Sequence, residues 1–176
     1  MQQVKNFSID YSKFPSQWTR IVIDGDQGAG KTTLANEIAE ELNASVISLD
    51  EFLLGNHDDY WKQIKYDSLR SKIMSSGAKI IIEGVCILKI LAQIQVRHDY
   101  HIFVELRNGF VGWEYGHYLS EKSKPPRSKL MQDIVAYYRE FRPFESCDLF
   151  LSRELVGSLK ENIKTRKASS RREVSC

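Results

Sequence analysis

One eight-residue segment, residues 25–32, constrains this chain more than any other part of its sequence. It reads Gly-Asp-Gln-Gly-Ala-Gly-Lys-Thr and fits the pattern G-x-x-x-x-G-K-[ST], the phosphate-binding P-loop, at every position. A β-branched run at 20–24 precedes it and predicts a buried strand. An amphipathic pattern at 33–42 follows it and predicts a helix. Strand, glycine loop and helix therefore occur in the order that the motif requires.

The residue types of this segment suit a bound nucleoside triphosphate. Glycines let successive backbone amides turn towards one anion, and the positive end of the following helix dipole adds to the field. Lys31 supplies a cation for the outer phosphates, and the hydroxyl of Thr32 can ligate Mg²⁺. The predicted nucleotide-binding residues are Gly25, Asp26, Gln27, Gly28, Ala29, Gly30, Lys31, Thr32 and Thr33.

Length and composition narrow the class of protein. The 176 residues fit one domain, and 42% hydrophobic with 27% charged residues is typical of soluble proteins. The net charge of +2 does not indicate a nucleic-acid partner, and no apolar run is long enough to cross a bilayer. Residues 1–18 lack a signal-peptide core, and three scattered cysteines favour a reducing cytoplasm. We expect a cytoplasmic protein without a membrane partner. A homo-oligomer is possible, and the sequence does not determine the oligomeric state.

Alternating strand and helix patterns predict the fold class. Beyond the first strand, apolar runs predict strands at 45–49, 79–83, 100–106 and 148–151. Amphipathic patterns between them predict helices at about 58–76, 86–95 and 130–140. The predicted fold is α/β, a parallel five-stranded sheet with helices on both faces. Ligands of such sheets bind beyond the carboxyl ends of the strands, which is where the P-loop lies.

Two carboxylates at strand ends fall on the same side of this sheet as the P-loop. Glu83 is placed to hold Mg²⁺ directly or through water, and Gly84 beside it leaves room for a ligand. Asp50 is placed to take the proton from an attacking hydroxyl, with Glu51 as the second choice. The alternatives are a helix N-cap for Asp50 and a surface carboxylate for Glu83. The presence of the P-loop favours the functional interpretation of both.

Residues 107–130 form a long segment without clear periodicity, rich in aromatic and basic residues. A segment this long inside a compact domain is commonly either a functional lid or disordered. A closing lid can bring cations over a transferring phosphoryl group. Arg127 is the first choice for that cation and Arg107 the second, and a solvated charge run is the alternative. His57 and His117 receive no role, because a lone histidine is more often a packing or surface residue.

Four segments together carry a family resemblance. The P-loop, Ser-Leu-Asp-Glu-Phe at 48–52, Ile-Ile-Glu-Gly at 81–84 and Tyr-His-Ile-Phe-Val at 100–104 occur in the order and spacing of the uridine kinase-like family. This family includes phosphoribulokinase and nicotinamide riboside kinase relatives. The resemblance covers about residues 20–151 and implies a P-loop NTPase of the NMP-kinase-like type with a mobile lid.

What the resemblance implies about function is specific. Members transfer the γ-phosphate of ATP, with Mg²⁺, to a hydroxyl of a small molecule, often a nucleoside. By resemblance Lys31 and Thr32 hold phosphate and Mg²⁺, Asp50 is the acceptor-side base and Glu83 lies near the metal. Leu53 departs from the family, which carries an aromatic there, and Arg107 lacks the second arginine of the family's lid motif. The acceptor therefore stays unnamed.

The predicted organisation is an N-terminal extension (1–19), a P-loop kinase domain (20–156) with its lid at 107–130, and a basic tail (157–176). The tail is interpreted as a solvated chain end rather than a nucleic-acid arm. A regulatory GTPase is disfavoured, because the Asn/Thr-Lys-x-Asp and Asp-x-x-Gly motifs are absent, and a preference for GTP would favour it again. A non-catalytic nucleotide-binding module is the remaining alternative, although such a module needs no carboxylate on the acceptor side.

Overall fold

The computed structural model of the protein describes residues 9–55, 60–108, 112–120 and 124–155. The strands within these ranges are β1 (Arg20–Gly25), β2 (Ser45–Ser48), β3 (Ile80–Glu83), β4 (Tyr100–Asn108), β5 (Gly112–Trp113) and β6 (Leu149–Leu155). The α-helices are α1 (Lys31–Leu42), α2 (Tyr66–Ser75), α3 (Ile87–Gln93), α4 (Glu114–Leu119), α5 (Lys129–Phe141) and α6 (Pro143–Ser146). In these ranges no helix combines the length and the apolar character needed to cross a bilayer.

The sheet confirms the predicted fold class. Its parallel strands run in the order β2-β3-β1-β4-β6, and crossover helices separate most of them along the chain. These five strands match the five predicted from apolar runs, with boundaries that differ by a few residues. The two-residue strand β5 pairs antiparallel with β4 and was not predicted. The sheet thereby gains a short extra strand next to the carboxyl end of β4.

Hydrophobic side chains cover both faces of the sheet, as the prediction of helices on both faces requires. Because successive side chains of a strand point to opposite faces, Ile21 and Ile23 pack with α1 while Val22 lies in the other cluster. α1 buries Leu34, Ala35 and Ile38, the apolar stripe expected from its sequence. The opposite cluster contains buried residues of α2, α3 and α5, among them Leu69, Ile90 and Ile134.

The helix predicted at about 58–76 is wrong in its first half. A 3₁₀ helix covers Tyr60–Gln63, and α2 begins only at Tyr66. The backbone between them bonds to residues 52–54 instead: the Lys65 amide donates to the Phe52 carbonyl over 2.9 Å, and the Leu54 amide to the Gln63 carbonyl over 2.7 Å. These bonds use groups that a continuous helix would need for itself. Residues 56–59, including His57, lie outside the described ranges.

The predicted domain boundaries remain predictions, but three facts bear on them. In the N-terminal extension, Phe14 and Trp18 are buried in the cluster around β1 and α1. The segment predicted as a lid contains β5, α4 and the start of α5. The whole basic tail, 157–176, lies outside the described residues.

Candidate nucleotide and phosphoryl-transfer site

Where β1 ends and the P-loop begins, the backbone passes very close to β4, and this close approach requires glycine. Gly25 has φ 136°, and a Cβ there would lie 2.1 Å from the Val104 carbonyl oxygen. The Asp26 amide donates to that same oxygen over 3.0 Å. Gly30, with φ 91°, is the N-cap of α1 and has no side chain to bond the first amides of the helix. Those amides are therefore suited to an anion.

Lys31 is folded back into its own loop. Its side-chain amine donates to the carbonyl oxygens of Asp26 (2.7 Å) and Gly25 (3.2 Å), and only 7% of the residue is exposed. Burial lowers the pKa of Lys31, and neighbouring carboxylates act against that fall. The carboxylates that do so are Asp24, Glu83, Asp26 and Asp50. One buried cation therefore lies among four acidic side chains, in an arrangement that a divalent cation would further neutralise.

Thr32 and Glu83, the two predicted metal ligands, are in direct contact. The Thr32 hydroxyl donates to Oε1 of Glu83 over 3.0 Å, although 51 residues separate them in the sequence. Hydroxyl and carboxylate oxygens fit Mg²⁺, which proteins bind with one or two such groups together with phosphates and water. In the described ranges no three His, Cys, Asp or Glu side chains are grouped to hold a metal. Thr32 and Glu83 therefore suit a metal ion that is also coordinated by phosphate, rather than one held by protein ligands alone.

Asp50 lies close enough to Lys31 for its charge to act on the pKa of that lysine. It is exposed on the 3₁₀ turn Leu49–Phe52, directly beyond the end of β2, and the N-cap of that turn is Ser48. Its charge opposes the fall in the pKa of Lys31 and helps to raise the pKa of Tyr60. Asp50 is therefore near the P-loop cation and accessible to a small molecule, as an acceptor-side base must be.

Gly84 has a role other than the one expected. The sequence suggests that this glycine leaves room for a ligand, but a Cβ there would lie 2.6 Å from Cδ1 and 2.7 Å from Cβ of Leu49. The space beside Gly84 is therefore filled by the buried side chain of Leu49. Because Leu49 directly precedes Asp50, the glycine helps to set the position of the candidate base.

Two buried acids belong to the site, and only one of them was predicted. Asp24 is fully buried; it accepts from the Gly25 amide over 2.7 Å and from the Tyr137 hydroxyl. Burial raises the pKa of Asp24 to about 6, partly offset by these hydrogen bonds. Burial likewise raises the pKa of Asp26 to about 6. An acidic residue at the end of an apolar strand was the available sequence signal for Asp24.

Arg153 is a second functional candidate that the sequence did not reveal. It lies on β6, and its Nη1 donates to the Ala29 carbonyl of the P-loop over 3.1 Å. A Cβ on Gly30 would lie 2.2 Å from the same Nη1, so the guanidinium rests directly on the loop. The apolar run at 148–151 predicts a strand that stops short of Arg153, whereas β6 continues to Leu155. A cation in this position suits a ligand with several phosphates.

Of the two predicted lid cations, one lines a cavity and the other pairs with a carboxylate. Arg127 is exposed and lines an open cavity of about 860 Å³ together with His117 and Tyr118 of α4 and Met131 of α5. Arg107 pairs with the buried Glu105 at 2.5 Å. The catalytic role of Arg127 remains a prediction. Phe110 and Lys122, two further residues of this segment, lie outside the described ranges.

The comparisons with known proteins agree with the fold. The sequence matches no protein-family model and no curated protein. Among solved structures, the chain is similar to a possible uridine kinase from Bacillus stearothermophilus, with a TM-score of 0.51 and 16% identity over 78% of this chain and 90% of that chain.

Two other similar structures are a shikimate kinase from Bacteroides thetaiotaomicron (TM-score 0.40, 16% identity, 76% of this chain and 85% of that one) and a gluconokinase from Sinorhizobium meliloti 1021 (TM-score 0.42, 13% identity, 79% and 83%). Because their TM-scores are below 0.5, only the similarity to the possible uridine kinase supports the fold assignment. Fold and loop together define an α/β P-loop protein. The resemblance to uridine kinase-like proteins is confirmed at the level of the fold.

Proposed function

We propose that this protein is an ATP-dependent kinase that transfers the γ-phosphate to a hydroxyl of a small molecule, a nucleoside or a related metabolite. The observation that carries the proposal is the contact between Thr32 and Glu83 beside the buried Lys31. A P-loop threonine bonded to a strand-end carboxylate supplies oxygen ligands of the kind that Mg²⁺ takes beside a triphosphate. Asp50 is exposed, its charge acts on the same Lys31, and it would be the base for the acceptor hydroxyl.

The nucleotide half of the site is formed by the P-loop and its lysine. The amides of the loop and of the first turn of α1 would bind the phosphate oxygens, and Lys31 would exchange its two carbonyl partners for them. Thr32 and Glu83 would hold Mg²⁺. When bound, that ion supplies positive charge against the phosphate oxygens. Arg153, which donates to the Ala29 carbonyl of the loop, adds a second protein cation to the same region.

The acceptor half of the site depends on Asp50. The carboxylate takes the proton from the acceptor hydroxyl as the acceptor oxygen forms its bond to the γ-phosphorus. The bond from that phosphorus to the bridging oxygen of the β-phosphate breaks, and ADP leaves with the electron pair. Arg127 is the proposed cation for the charge on the transferring group, acting from the α4–α5 side.

The decisive experiment measures ADP release. Purified protein would be incubated with ATP, Mg²⁺ and a panel of nucleosides, sugars and hydroxy acids, and acceptor-dependent turnover would be followed. One stimulating acceptor class is expected. Asp50→Asn should lower that turnover at least about 100-fold while ATP binding is retained, since general-base catalysis contributes about 10²–10⁴-fold.

Glu51→Gln is the matched control, because Glu51 is an exposed carboxylate on the same 3₁₀ turn. Its turnover should stay near that of the wild type. If Glu51→Gln loses activity and Asp50→Asn keeps it, the base is Glu51. If ATP binds and no member of a broad panel stimulates turnover, the protein is a non-catalytic nucleotide-binding module. A strong preference for GTP would contradict the proposed use of ATP.

A further inference from the structure

The short strand β5 lies beside the P-loop because of the way β4 is paired. Arg107 and Asn108 of β4 pair with β6 on one edge and with β5 on the other. On that second edge, β4 first pairs with β1. This pairing ends where Gly25, the last residue of β1, lies opposite Val104. β5 therefore continues the edge directly past the end of β1. A segment distant in sequence is brought next to the phosphate-binding loop.

The side chain of Asp26, inside the P-loop, binds three separate elements at this point. Its carboxylate accepts from the Leu106 amide of β4 (2.7 Å), from Nε1 of Trp113 in β5 (2.8 Å) and from the Tyr138 hydroxyl of α5 (2.8 Å). The residue is only 2% exposed. A buried carboxylate with three donors is tightly positioned, because losing any donor leaves charge unsatisfied in a dry environment.

Trp113 extends this connection to α4. A Cβ on Gly116 would lie 2.8 Å from Cε3 of Trp113, so the indole packs directly on the helix backbone. The ring also meets Phe144 at 5.1 Å and Tyr138 at 6.0 Å between centroids. The indole is therefore bonded to the P-loop through its N–H and packed on α4 through its ring. The residues after Gly116, His117 and Tyr118, line the cavity between α4 and α5.

Lys31 supplies the link to nucleotide binding. Its amine donates to the main-chain carbonyl of Asp26 over 2.7 Å. A phosphate that attracts this amine removes a hydrogen bond and a cation from the residue that anchors Trp113. Any such change at Asp26 acts through a bonded and closely packed path to α4, rather than through solvent.

From these contacts we propose that Asp26 is a positioning residue that couples nucleotide occupancy of the P-loop to the placement of Trp113 and α4. The proposal rests on the proposed function only for the statement that ATP binds the loop. Coupling between sites is reciprocal. A change in α4 that moves Trp113 must therefore alter nucleotide affinity, and bound nucleotide must alter the surroundings of Trp113.

Tryptophan fluorescence tests the proposal directly. With Trp18→Phe and Trp61→Phe, Trp113 is the one remaining tryptophan of the chain, which has three. A non-hydrolysable ATP analogue with Mg²⁺ should change its emission in a saturable manner. Asp26→Asn in this background should remove most of that change and weaken binding at least about five-fold. The reason is that an amide nitrogen would face at least one of the three donors.

Asp99→Asn is the matched control. Asp99 is also a carboxylate that accepts three hydrogen bonds, from the Thr19 amide and hydroxyl and from the Arg20 amide, but at the opposite end of β1. Its variant should keep both the emission change and the affinity. Two further variants test the path by calorimetry: Trp113→Phe, which keeps a ring but removes the N–H, and Gly116→Ala in α4. Both should weaken binding of the analogue.

The outcomes separate the two proposals. Wild-type affinity in Asp26→Asn, Trp113→Phe and Gly116→Ala would overturn the coupling and leave ATP binding intact. An analogue that binds without changing the emission of Trp113 would also overturn it. If the wild-type protein binds no analogue, the proposed function itself fails. If Asp26→Asn does not fold, Trp113→Phe and Gly116→Ala decide the question alone.

Discussion

The Thr32 hydroxyl donates a hydrogen bond to Oε1 of Glu83 across 3.0 Å, and so connects the first turn of α1 to the carboxyl end of β3. If Thr32 and Glu83 hold Mg²⁺, Thr32→Val removes one oxygen ligand while the side chain keeps nearly the same shape. Glu83→Gln removes the negative charge. Each variant should raise the Mg²⁺ concentration for half-maximal turnover about ten-fold or more, with weaker effects on the fold. Turnover against Mg²⁺ concentration measures this.

Glu40→Gln is a suitable control for this prediction, since Glu40 is exposed on α1 and lies one helix length from the P-loop. Its Mg²⁺ dependence should match the wild type. An unchanged Mg²⁺ dependence in both Thr32→Val and Glu83→Gln would mean that the metal, if one is used, binds elsewhere.

Gly84→Ala should lower turnover through Leu49 rather than through ligand contact. The new methyl group would lie within 2.7 Å of three Leu49 side-chain atoms, and Leu49 is fully buried. Overpacking of this kind costs about 1–3 kcal/mol and moves the neighbours. Because Asp50 follows Leu49, turnover should fall more than nucleotide affinity.

The double variant Gly84→Ala with Leu49→Ala makes this prediction specific. It relieves the crowding, so its loss of turnover should be smaller than the sum of the two single losses. Strict additivity in both turnover and stability would contradict the proposed path from Gly84 to Asp50.

The features that the sequence predicted correctly are those that depend on a local pattern of residues. The P-loop, the five parallel strands and the buried stripe of α1 follow from glycine spacing and apolar periodicity. It failed where a distant segment competes for the backbone, as at Lys65, whose amide bonds to Phe52. It also missed α4, a short helix with Gly116 in its middle, since packing on Trp113 rather than helix propensity stabilises it.

The same distinction, between local patterns and distant contacts, separates the site residues that were predicted from those that were not. Lys31, Thr32 and Glu83 were predicted, because a motif or a strand end marks them. Arg153 was not, since its importance comes from a contact with Ala29, which lies 124 residues earlier in the chain. No local pattern contains such a contact.

Arg153→Ala should weaken ATP binding. The variant loses the bond to the Ala29 carbonyl and a cation beside the P-loop. We expect the KM for ATP to rise about five- to fifty-fold, on the scale of one charge-assisted hydrogen bond, with the KM for the acceptor nearly unchanged. Arg142→Ala, which removes an exposed arginine paired with Glu145, is the control. A larger effect on the acceptor KM would place Arg153 on the other half of the site.

Asp24 should make the protein less stable as the pH rises from about 4 to about 6. Burial raises the pKa of its carboxyl group from 3.8 to about 6 in the folded state. The folded state therefore binds more protons than the unfolded chain in this window. Its free energy of unfolding then falls with rising pH, by on the order of 3 kcal/mol for this group. Denaturant unfolding of wild type and Asp24→Asn at several pH values measures the difference.

The comparison between these two proteins isolates Asp24. The advantage of the wild type over Asp24→Asn should decrease across this pH window and level off above about pH 7. Asp26 contributes in the same direction in both proteins and cancels in the difference. A difference that is constant with pH would mean that Asp24 ionises in the folded protein as it does in the unfolded chain.

His101 should act in the opposite direction. It is buried in β4, its Nε2 has no hydrogen-bond partner among the described residues, and its ring lies 5.9 Å from that of His98. Burial lowers the pKa of His101 from 6.5 to about 3, so between these values the unfolded chain takes up the proton. Stability should therefore fall as the pH decreases from about 6.5 towards 3.

His101→Leu removes this proton uptake while keeping an apolar group in the core. The variant should lose less stability than the wild type between pH 7 and pH 4, as measured by the free energy of unfolding in urea. His98→Gln is the control for the neighbouring ring, because His98 is exposed whereas His101 is buried. Parallel acid profiles for wild type and His101→Leu would show that His101 is protonated in the folded protein, which its apolar surroundings oppose.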